Sequence, residues 1–263
     1  MYKENFFIKL YNYIIYLIAS NKIHVSNFSF KSKNKKIIYS DIKNKYNFNG
    51  DLLKLFINNK NHTVHKWHHY IPLYDKYFSR FRGTKVRLLE IGVKKGGSLK
   101  LWRKYFGKQA VIFGIDIDPQ CSNLNFKTEH IRIGDQSDKK FLLKIAKEMK
   151  SIDIIIDDGS HRMDHIRQSL STLFPRLNFG GIYAIEDLHT AYWGKFQGGF
   201  NRNGNFFNYA RDLIDDLHFD YHLKSIKMPY FKRHVTGIHI HDSIVFIEKN
   251  KYYKSVHSKI GNI

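Results

Sequence analysis

The chain has 263 residues, 43% of them hydrophobic, which is enough for one α/β domain with a sizeable core and an N-terminal extension. A single cysteine, Cys121, excludes an internal disulfide framework and favours a reducing compartment, so we expect a cytoplasmic location. A net charge of +21 can attract nucleic acid or anionic membranes. Because the excess lysine is scattered among many Asn, Ile, Tyr and Phe residues without a recognisable binding module, the charge is more typical of a composition bias, and the sequence does not favour a nucleic-acid partner.

The most apolar stretch of the chain, Phe6 to Ile18, is too short to span a bilayer and contains polar residues. It also lacks the basic region and cleavage site of a secretory signal. Its apolar positions recur at helical spacing and predict an amphipathic helix: Phe6, Leu10, Ile14 and Leu17. We expect this helix to pack against the domain or a second subunit, as in a homo-oligomer, and peripheral membrane contact is the alternative.

Between this helix and the first strand lie a basic segment and an aromatic one. Residues 31–45 are rich in lysine and asparagine and predict a solvated linker or a short hairpin, followed by a short helix over 51–57. Residues 62–70 contain four histidines with Trp67 and Tyr70. The histidine spacing is irregular and no cysteine accompanies it, which disfavours zinc. We predict a loop over the mouth of a site, with aromatic rings available for stacking.

From Lys85 onward, short apolar runs alternate with amphipathic stretches. The predicted strands cover residues 86–91, 111–115, 130–133, 154–157 and 182–185, and the predicted helices cover 98–106, 139–149, 162–174 and 205–217. Two last strands, over 221–227 and 238–248, predict an antiparallel pair at the sheet edge. The pattern predicts a Rossmann-like α/β fold with seven mostly parallel strands over residues 66–263, preceded by a helical extension over residues 1–65.

A glycine-rich turn follows the first predicted strand, as in nucleotide-binding βαβ units. Its glycines, Gly92, Gly96 and Gly97, do not have the spacing of dinucleotide enzymes. Glu90 stands just before the turn, which disfavours a pyrophosphate and suits a cationic ligand. Asp116, 19 positions after Gly97, ends the second strand and can hold a ribose. An adenosine that carries a sulfonium and an amino group, S-adenosylmethionine, fits this set.

We predict that Glu90 and the glycine turn hold the methionine end of this cofactor, that Asp116 holds the ribose, and that the next strand end holds the adenine. The full set of predicted cofactor-binding residues is Glu90, Gly92, Gly96, Ser98, Asp116, Asp135, Gln136 and Asp158. Structural turn glycines with solvated acids are the alternative interpretation.

Two later strands each end in a pair of carboxylates, Asp157-Asp158 and Glu186-Asp187. Ligands bind outside the carboxyl ends of strands in open α/β sheets, so these acids and His161 are expected in one crevice. That much negative charge requires a cation. Helix capping by Asp158 would account for one of the four acids only.

These motifs resemble a known family. Asp158-Gly159-Ser160-His161 and Glu186-Asp187 are similar to segments of the magnesium-dependent class I methyltransferases that methylate macrolide sugars, the mycinamicin VI 2''-O-methyltransferase group. Further similar segments are Lys66-Trp67, Leu89-Glu90-Ile91-Gly92-Val93 and Asp242-Ser243-Ile244-Val245, so the resemblance covers roughly Lys66 to Lys249. About 65 unlike residues replace the large N-terminal region of that group, and His65 stands where the group usually has an acid.

The resemblance implies a Mg²⁺ ion held by Asp158, Glu186 and Asp187, with His161 as general base. A sugar hydroxyl is a poor nucleophile until it loses its proton, and a histidine can accept a proton near neutral pH. We therefore predict an S-adenosylmethionine-dependent O-methyltransferase that acts on a sugar or related polyol hydroxyl in glycan or natural-product assembly. For His161, a helix-start residue without a proton role is the alternative.

Two other functions stay open. One is a hydroxylase-type relative of the cephalosporin hydroxylase family, but three carboxylates argue against the iron site of two histidines and one carboxylate that oxygen chemistry would need. The other is a non-catalytic module that binds through its basic surface, and the intact predicted base and ligand positions argue against it.

Overall fold

The computed structural model describes residues 7, 10, 11, 14, 23–60, 62–124, 126–221, 231 and 234–261. Seven strands in this part form one sheet with the spatial order β3-β2-β1-β4-β5-β7-β6. The strands are β1 (Arg87–Ile91), β2 (Val111–Asp116), β3 (Glu129–Ile133), β4 (Ile152–Asp157), β5 (Leu177–Ile185), β6 (Val235–His241) and β7 (Ile244–Lys249). β1 to β5 are parallel, whereas β7 is antiparallel to both β5 and β6. The predicted fold class is confirmed.

Helices cover both faces of the sheet. They are α1 (Lys35–Tyr46), α2 (Asp51–Ile57), α3 (Tyr70–Phe78), α4 (Gly97–Phe106), α5 (Lys139–Met149), α6 (Met163–Leu173) and α7 (Phe206–Leu217). Side chains of a strand alternate between the two faces, so Leu88 joins the core beneath α3 and α4, and Leu89 joins the core beneath α5, α6 and α7. This two-sided burial explains why the central strands read as continuous apolar runs.

The prediction of a linker or hairpin over residues 31–45 is wrong, because this segment contains α1. Ile38 and Ile42 lie one helical turn apart and face the core, where Ile42 is fully buried. Asn34 begins the helix by accepting a hydrogen bond from the Lys36 amide at 2.9 Å, and Asn47 ends it in a left-handed conformation. The lysines lie on the solvent side, so composition hid a helix with one apolar face.

The closing hairpin is confirmed at the sheet edge, but its strands differ from the predicted ones. The single strand predicted over 238–248 folds back at Asp242-Ser243 into β6 and β7, with Ser243 at a positive φ of 63°. The other predicted strand, over 221–227, lies almost entirely outside the described residues. A two-residue turn without glycine gave no signal of a hairpin in the sequence.

The predicted amphipathic helix near the N-terminus also lies mostly outside the described residues, including Phe6 and Leu17. At positions 7, 10, 11 and 14 the chain is helical and the side chains are exposed. Within the described part of the chain, no helix is long and apolar enough to cross a membrane. Leu52 and Leu53 of α2 are fully buried in the core with Trp102, and the domain division at residue 65 stays a prediction.

Candidate active site

The carboxyl ends of β1, β2, β4 and β5 surround a cavity of about 540 Å³. The parallel register pairs Ile91 with Asp157 and Asp157 with Ile185, which brings the acids that follow β4 and β5 side by side. The cavity wall combines most of the predicted cofactor residues with the predicted metal site: Gly92, Ser98, Asp116, Asp135, Gln136, Asp158, His161, Glu186 and Asp187. Two groups predicted from distant parts of the sequence therefore share one cavity.

Three of its side chains converge closely enough to hold a metal ion. Asp158, His161 and Asp187 each offer one ligand atom, and these atoms lie within 4.8 Å of one another. His161 Nε2 is 3.8 Å from Asp187 Oδ2 and 4.0 Å from Asp158 Oδ1. Each side chain is about one-fifth exposed, so the three face the cavity.

The third predicted ligand, Glu186, lies beside this trio and turns inward. Its Oε1 atom accepts hydrogen bonds from Lys66 Nζ at 2.5 Å and from the Tyr74 hydroxyl. Burial, together with the Asp158 carboxylate, raises the pKa of Glu186 well above its usual value. Its role as a metal ligand stays a prediction.

The backbone at the site adopts two left-handed conformations in residues other than glycine, His161 with φ 57° and Asp187 with φ 56°. Such conformations cost about 1 kcal/mol or more and occur where surrounding contacts impose them. Thr190 Oγ1 supplies two of these contacts, to the Asp187 carbonyl at 2.7 Å and to the His161 carbonyl at 3.3 Å. The single proton of this hydroxyl is thus shared between the two turns that carry His161 and Asp187.

Residues 63–67 line the cavity, as predicted for a loop at its mouth. Of the histidines that follow, His68 pairs with Asp41 at 2.7 Å and His69 with the Asp242 carbonyl at 2.8 Å. The contribution of this segment is instead Lys66 and Trp67. The sequence predicted Trp67 as a stacking ring and Lys66 only through the family resemblance, and it gave no indication of their contacts with the acids.

Two of the predicted cofactor residues, Asp116 and Gln136, also form hydrogen bonds that fix the loops around the cavity. Asp116 Oδ2 accepts the backbone amides of Val93 and Lys94, both at 2.8 Å, and so fixes the glycine turn from below. The side chain of Gln136 accepts the Ser160 amide at 2.6 Å and donates to Asp157 at 3.1 Å. Both residues line the cavity, but much of their hydrogen-bonding capacity positions the loops around it.

Glu90 lies behind the cavity wall and is fully buried. Neither of its oxygens makes a hydrogen bond of ordinary length and angle with the described residues. Burial raises the pKa of Glu90 to about 7. An acid in this position is the kind of group that a nearby cation would complement.

Gly92 joins the cofactor turn to the acid cluster. It has a φ of 95°, and a Cβ atom there would lie 2.1 Å from the Asp158 carbonyl oxygen. We expect Gly92→Ala to lower the free energy of unfolding by about 3 kcal/mol, through strain and the backbone clash. Urea denaturation of the purified variant measures this loss.

Gly107 provides the matched control, because its φ is 97° and a Cβ atom there would meet nothing within 4 Å. Gly107→Ala carries the same backbone strain without the contact. An equal loss of stability in both variants would contradict a specific close approach between Gly92 and Asp158.

A row of aromatic rings flanks the acid cluster. Consecutive ring centroids lie 4.8 to 6.2 Å apart, and the row runs through Phe28, Trp67, His189, Trp193, Phe196 and His161. It begins in the segment before α1 and ends at the predicted base. Such a wall offers flat apolar faces beside a polar, charged centre.

The strand order, the glycine turn after β1 and the acids that end β2 and β3 define a class I methyltransferase fold. No family model matches the chain. Curated relatives do: it is 36% identical over 200 residues to 8-demethyl-8-alpha-L-rhamnosyl tetracenomycin-C 2'-O-methyltransferase of Streptomyces olivaceus, which covers 72% of this chain and 52% of that protein. It is also 36% identical over 196 residues to mycinamicin VI 2''-O-methyltransferase of Micromonospora griseorubida, with 70% and 49% covered.

A solved structure agrees with these relatives. The MycE methyltransferase of the mycinamycin biosynthetic pathway, in complex with Mg and SAH, matches with a TM-score of 0.67 and 32% identity over 81% of this chain and 54% of that chain. The chain spans about half the length of the curated relatives it matches. Over the matched region the chain is homologous to the sugar O-methyltransferases, as its motifs predicted.

Proposed function

We propose that this protein is an S-adenosylmethionine- and Mg²⁺-dependent O-methyltransferase that acts on a hydroxyl of a sugar or related polyol. The observation that carries the proposal is one cavity lined both by Asp158, His161 and Asp187, which follow β4 and β5, and by Asp116 and Asp135, at the ends of β2 and β3 on the other side of β1. The curated relatives are named as sugar O-methyltransferases, and the MycE structure is described with Mg and SAH. These names support the same reaction here.

The cofactor side of the cavity fits S-adenosylmethionine. Asp116 and Asp135 project into it from the ends of β2 and β3, where a ribose and an adenine would meet acceptor groups. Hydrogen bonding from the Ser137 amide lowers the pKa of Asp135, which keeps this acid ionised as an acceptor. Buried Glu90 and the neighbouring acids supply the negative field that favours a sulfonium.

The acid cluster fits Mg²⁺ in its donor chemistry, because carboxylate oxygens are the preferred protein ligands of that ion. Asp158 and Asp187 would hold it, with Glu186 as the predicted third ligand. When bound, the ion supplies positive charge that favours ionisation of a hydroxyl held beside it. The trio of one histidine and two carboxylates is the reverse of the iron site expected for a hydroxylase.

His161 has the position of the general base. Its Nε2 atom faces the same space as Asp158 Oδ1 and Asp187 Oδ2, so it would meet the proton of an acceptor hydroxyl at this end of the cavity. With the proton on His161, the acceptor oxygen would be free to displace sulfur from the methyl carbon. S-adenosylmethionine would supply that methyl group, and the bonding pair would leave with sulfur as S-adenosylhomocysteine, giving a methyl ether.

The aromatic row supports a sugar as the acceptor. The C–H face of a pyranose is apolar and packs on flat rings, whereas its hydroxyls require polar partners. Trp67 lines the cavity, and the ring of Phe196 lies 6.2 Å from that of His161, so a sugar packed against these rings would present a hydroxyl to the predicted base.

Transfer of a labelled methyl group from S-adenosylmethionine to a panel of glycosides and nucleotide sugars, with Mg²⁺ present, tests the proposal. We expect at least one glycoside to become an acid-stable methyl ether. A protein that binds S-adenosylmethionine in calorimetry but methylates none of a broad panel would contradict the sugar acceptor. Retention on DNA or RNA that falls steeply with salt, without binding of the cofactor, would instead support the basic binding module.

A further inference from the structure

Lys66 places a cation inside the acid cluster. Its side chain is only 3% exposed, and its Nζ atom lies 2.6 Å from Asp158 Oδ2 and 2.5 Å from Glu186 Oε1. The ammonium therefore bridges two of the three predicted metal ligands.

This ammonium is the counter-charge for several buried acids. Glu186 is 2% exposed at its side chain, and the charge of fully buried Glu90 also acts on Lys66. A buried carboxylate without a counter-charge is strongly destabilising. Among the described residues, Lys66 is the cation that contacts the inward side of this cluster.

Lys66 and its neighbour bind one oxygen of each predicted ligand. Trp67 Nε1 donates to Asp187 Oδ1 at 2.9 Å, just as Lys66 binds Asp158 Oδ2 and Glu186 Oε1. The other oxygens of Asp158 and Asp187 face His161. A divalent ion on that side would share the Asp158 carboxylate with the ammonium, and two cations on one carboxylate repel each other.

The ammonium of Lys66 borders the cavity and has space there to move away from the acids when a metal ion binds. Residues 62–67 contain neither helix nor strand, and Lys66 itself lines the cavity at the end of a flexible aliphatic chain. The same segment packs against the cofactor turn, since a Cβ atom at Gly97 would lie 2.1 Å from the Thr63 carbonyl oxygen. Withdrawal of the ammonium needs a change in one side chain and leaves the strands in place.

We propose that Lys66 is the resident cation of the acid cluster in the metal-free protein, and that it competes with Mg²⁺ for Asp158 and Glu186. The inference rests on the metal site of the proposed function. Lys66 stabilises the assembled cluster before the ion binds and lowers the affinity for the ion. Lys66 acts through the two acids. It is therefore a positioning residue and does not need to contact the reacting atoms.

Calorimetric titration of the full chain with Mg²⁺ alone tests this inference. Lys66→Met is expected to lower the Kd for Mg²⁺ on the order of 10-fold or more, because the ion no longer displaces an ammonium. The same variant is expected to unfold at lower urea concentration without metal and to recover much of that loss when Mg²⁺ is added. Lys66→Gln, which keeps a hydrogen-bond donor, is expected to show the same tightening if Lys66→Met does not fold.

Lys100→Met is the matched control, since Lys100 pairs with buried Glu129 at 2.6 Å away from the cavity. It is expected to lose stability and leave the Kd for Mg²⁺ unchanged. If the unchanged protein binds Mg²⁺ and the Lys66 variants bind it equally or more weakly, the proposed competition between Lys66 and Mg²⁺ is wrong. The proposed metal site would be retained in that case. If none of the proteins binds Mg²⁺, both the inference and the metal requirement of the proposed function are wrong.

Discussion

Removal of divalent ions with EDTA is expected to abolish methyl transfer, and added Mg²⁺ is expected to restore it. The expectation follows from Asp158 and Asp187, whose ligand atoms lie within 4.8 Å of each other and are carboxylate oxygens, the donors that a hard cation prefers. An acceptor hydroxyl ionises with difficulty at neutral pH when no positive charge is held beside it. Initial rates at increasing Mg²⁺ concentration, after chelation and buffer exchange, measure the requirement.

Asp187→Asn sharpens this experiment, because it keeps the shape of the side chain and removes the charge. We expect at least a 10-fold rise in the Mg²⁺ concentration needed for half of the maximal rate. Asp138→Asn is the control, since Asp138 caps α5 away from the cavity and asparagine caps a helix equally well. Undiminished turnover in EDTA would remove the metal ion from the mechanism.

His161→Ala is expected to lower kcat by about 10²–10⁴-fold, the usual contribution of a positioned general base. Binding of S-adenosylmethionine is expected to survive, because the acids at the ends of β2 and β3 are separated by β1 from β4, which His161 follows. Single-turnover rates measure the chemical step, and calorimetry measures cofactor binding. The two readouts separate a lost base from a collapsed site.

His218→Ala serves as its control, since His218 ends α7 at the surface and bonds the Ile214 carbonyl at 2.9 Å. Its kcat is expected to be unchanged. His161→Ala with unchanged turnover would show that another group, or water, accepts the proton. An equal loss in kcat and in cofactor affinity would point to a structural role for the left-handed turn at His161.

Most of the strands and helices could be predicted from the local spacing of apolar and polar residues. The runs that became β1, β2, β4 and β5 are apolar because both faces of the sheet are covered, and each is followed by turn residues or acids. α1 was missed because its few apolar residues are embedded in lysine and asparagine. The turn between β6 and β7 was missed because its left-handed residue is Ser243 rather than glycine.

The acids and the histidine of the candidate site could be predicted from the sequence. Asp158, Glu186 and Asp187 were placed together by the rule that parallel strands end at one edge, and the structure brings them there. The rule says nothing about which oxygen faces which neighbour. That Glu186 turns inward toward Tyr74, while Asp158 and Asp187 face His161, depends on side-chain packing across three elements.

The sequence by itself therefore determined the five parallel strands, the glycine turn and the set of acids, because each is encoded by residues close together in the chain. Only the tertiary structure decided how the acids are neutralised. Lys66 lies 92 residues from Asp158 and 120 from Glu186, and its neighbour Trp67 lies 120 from Asp187. Electrostatic pairing depends on distance in space, and no local pattern around a lysine in a histidine-rich loop specifies which buried carboxylates it will meet.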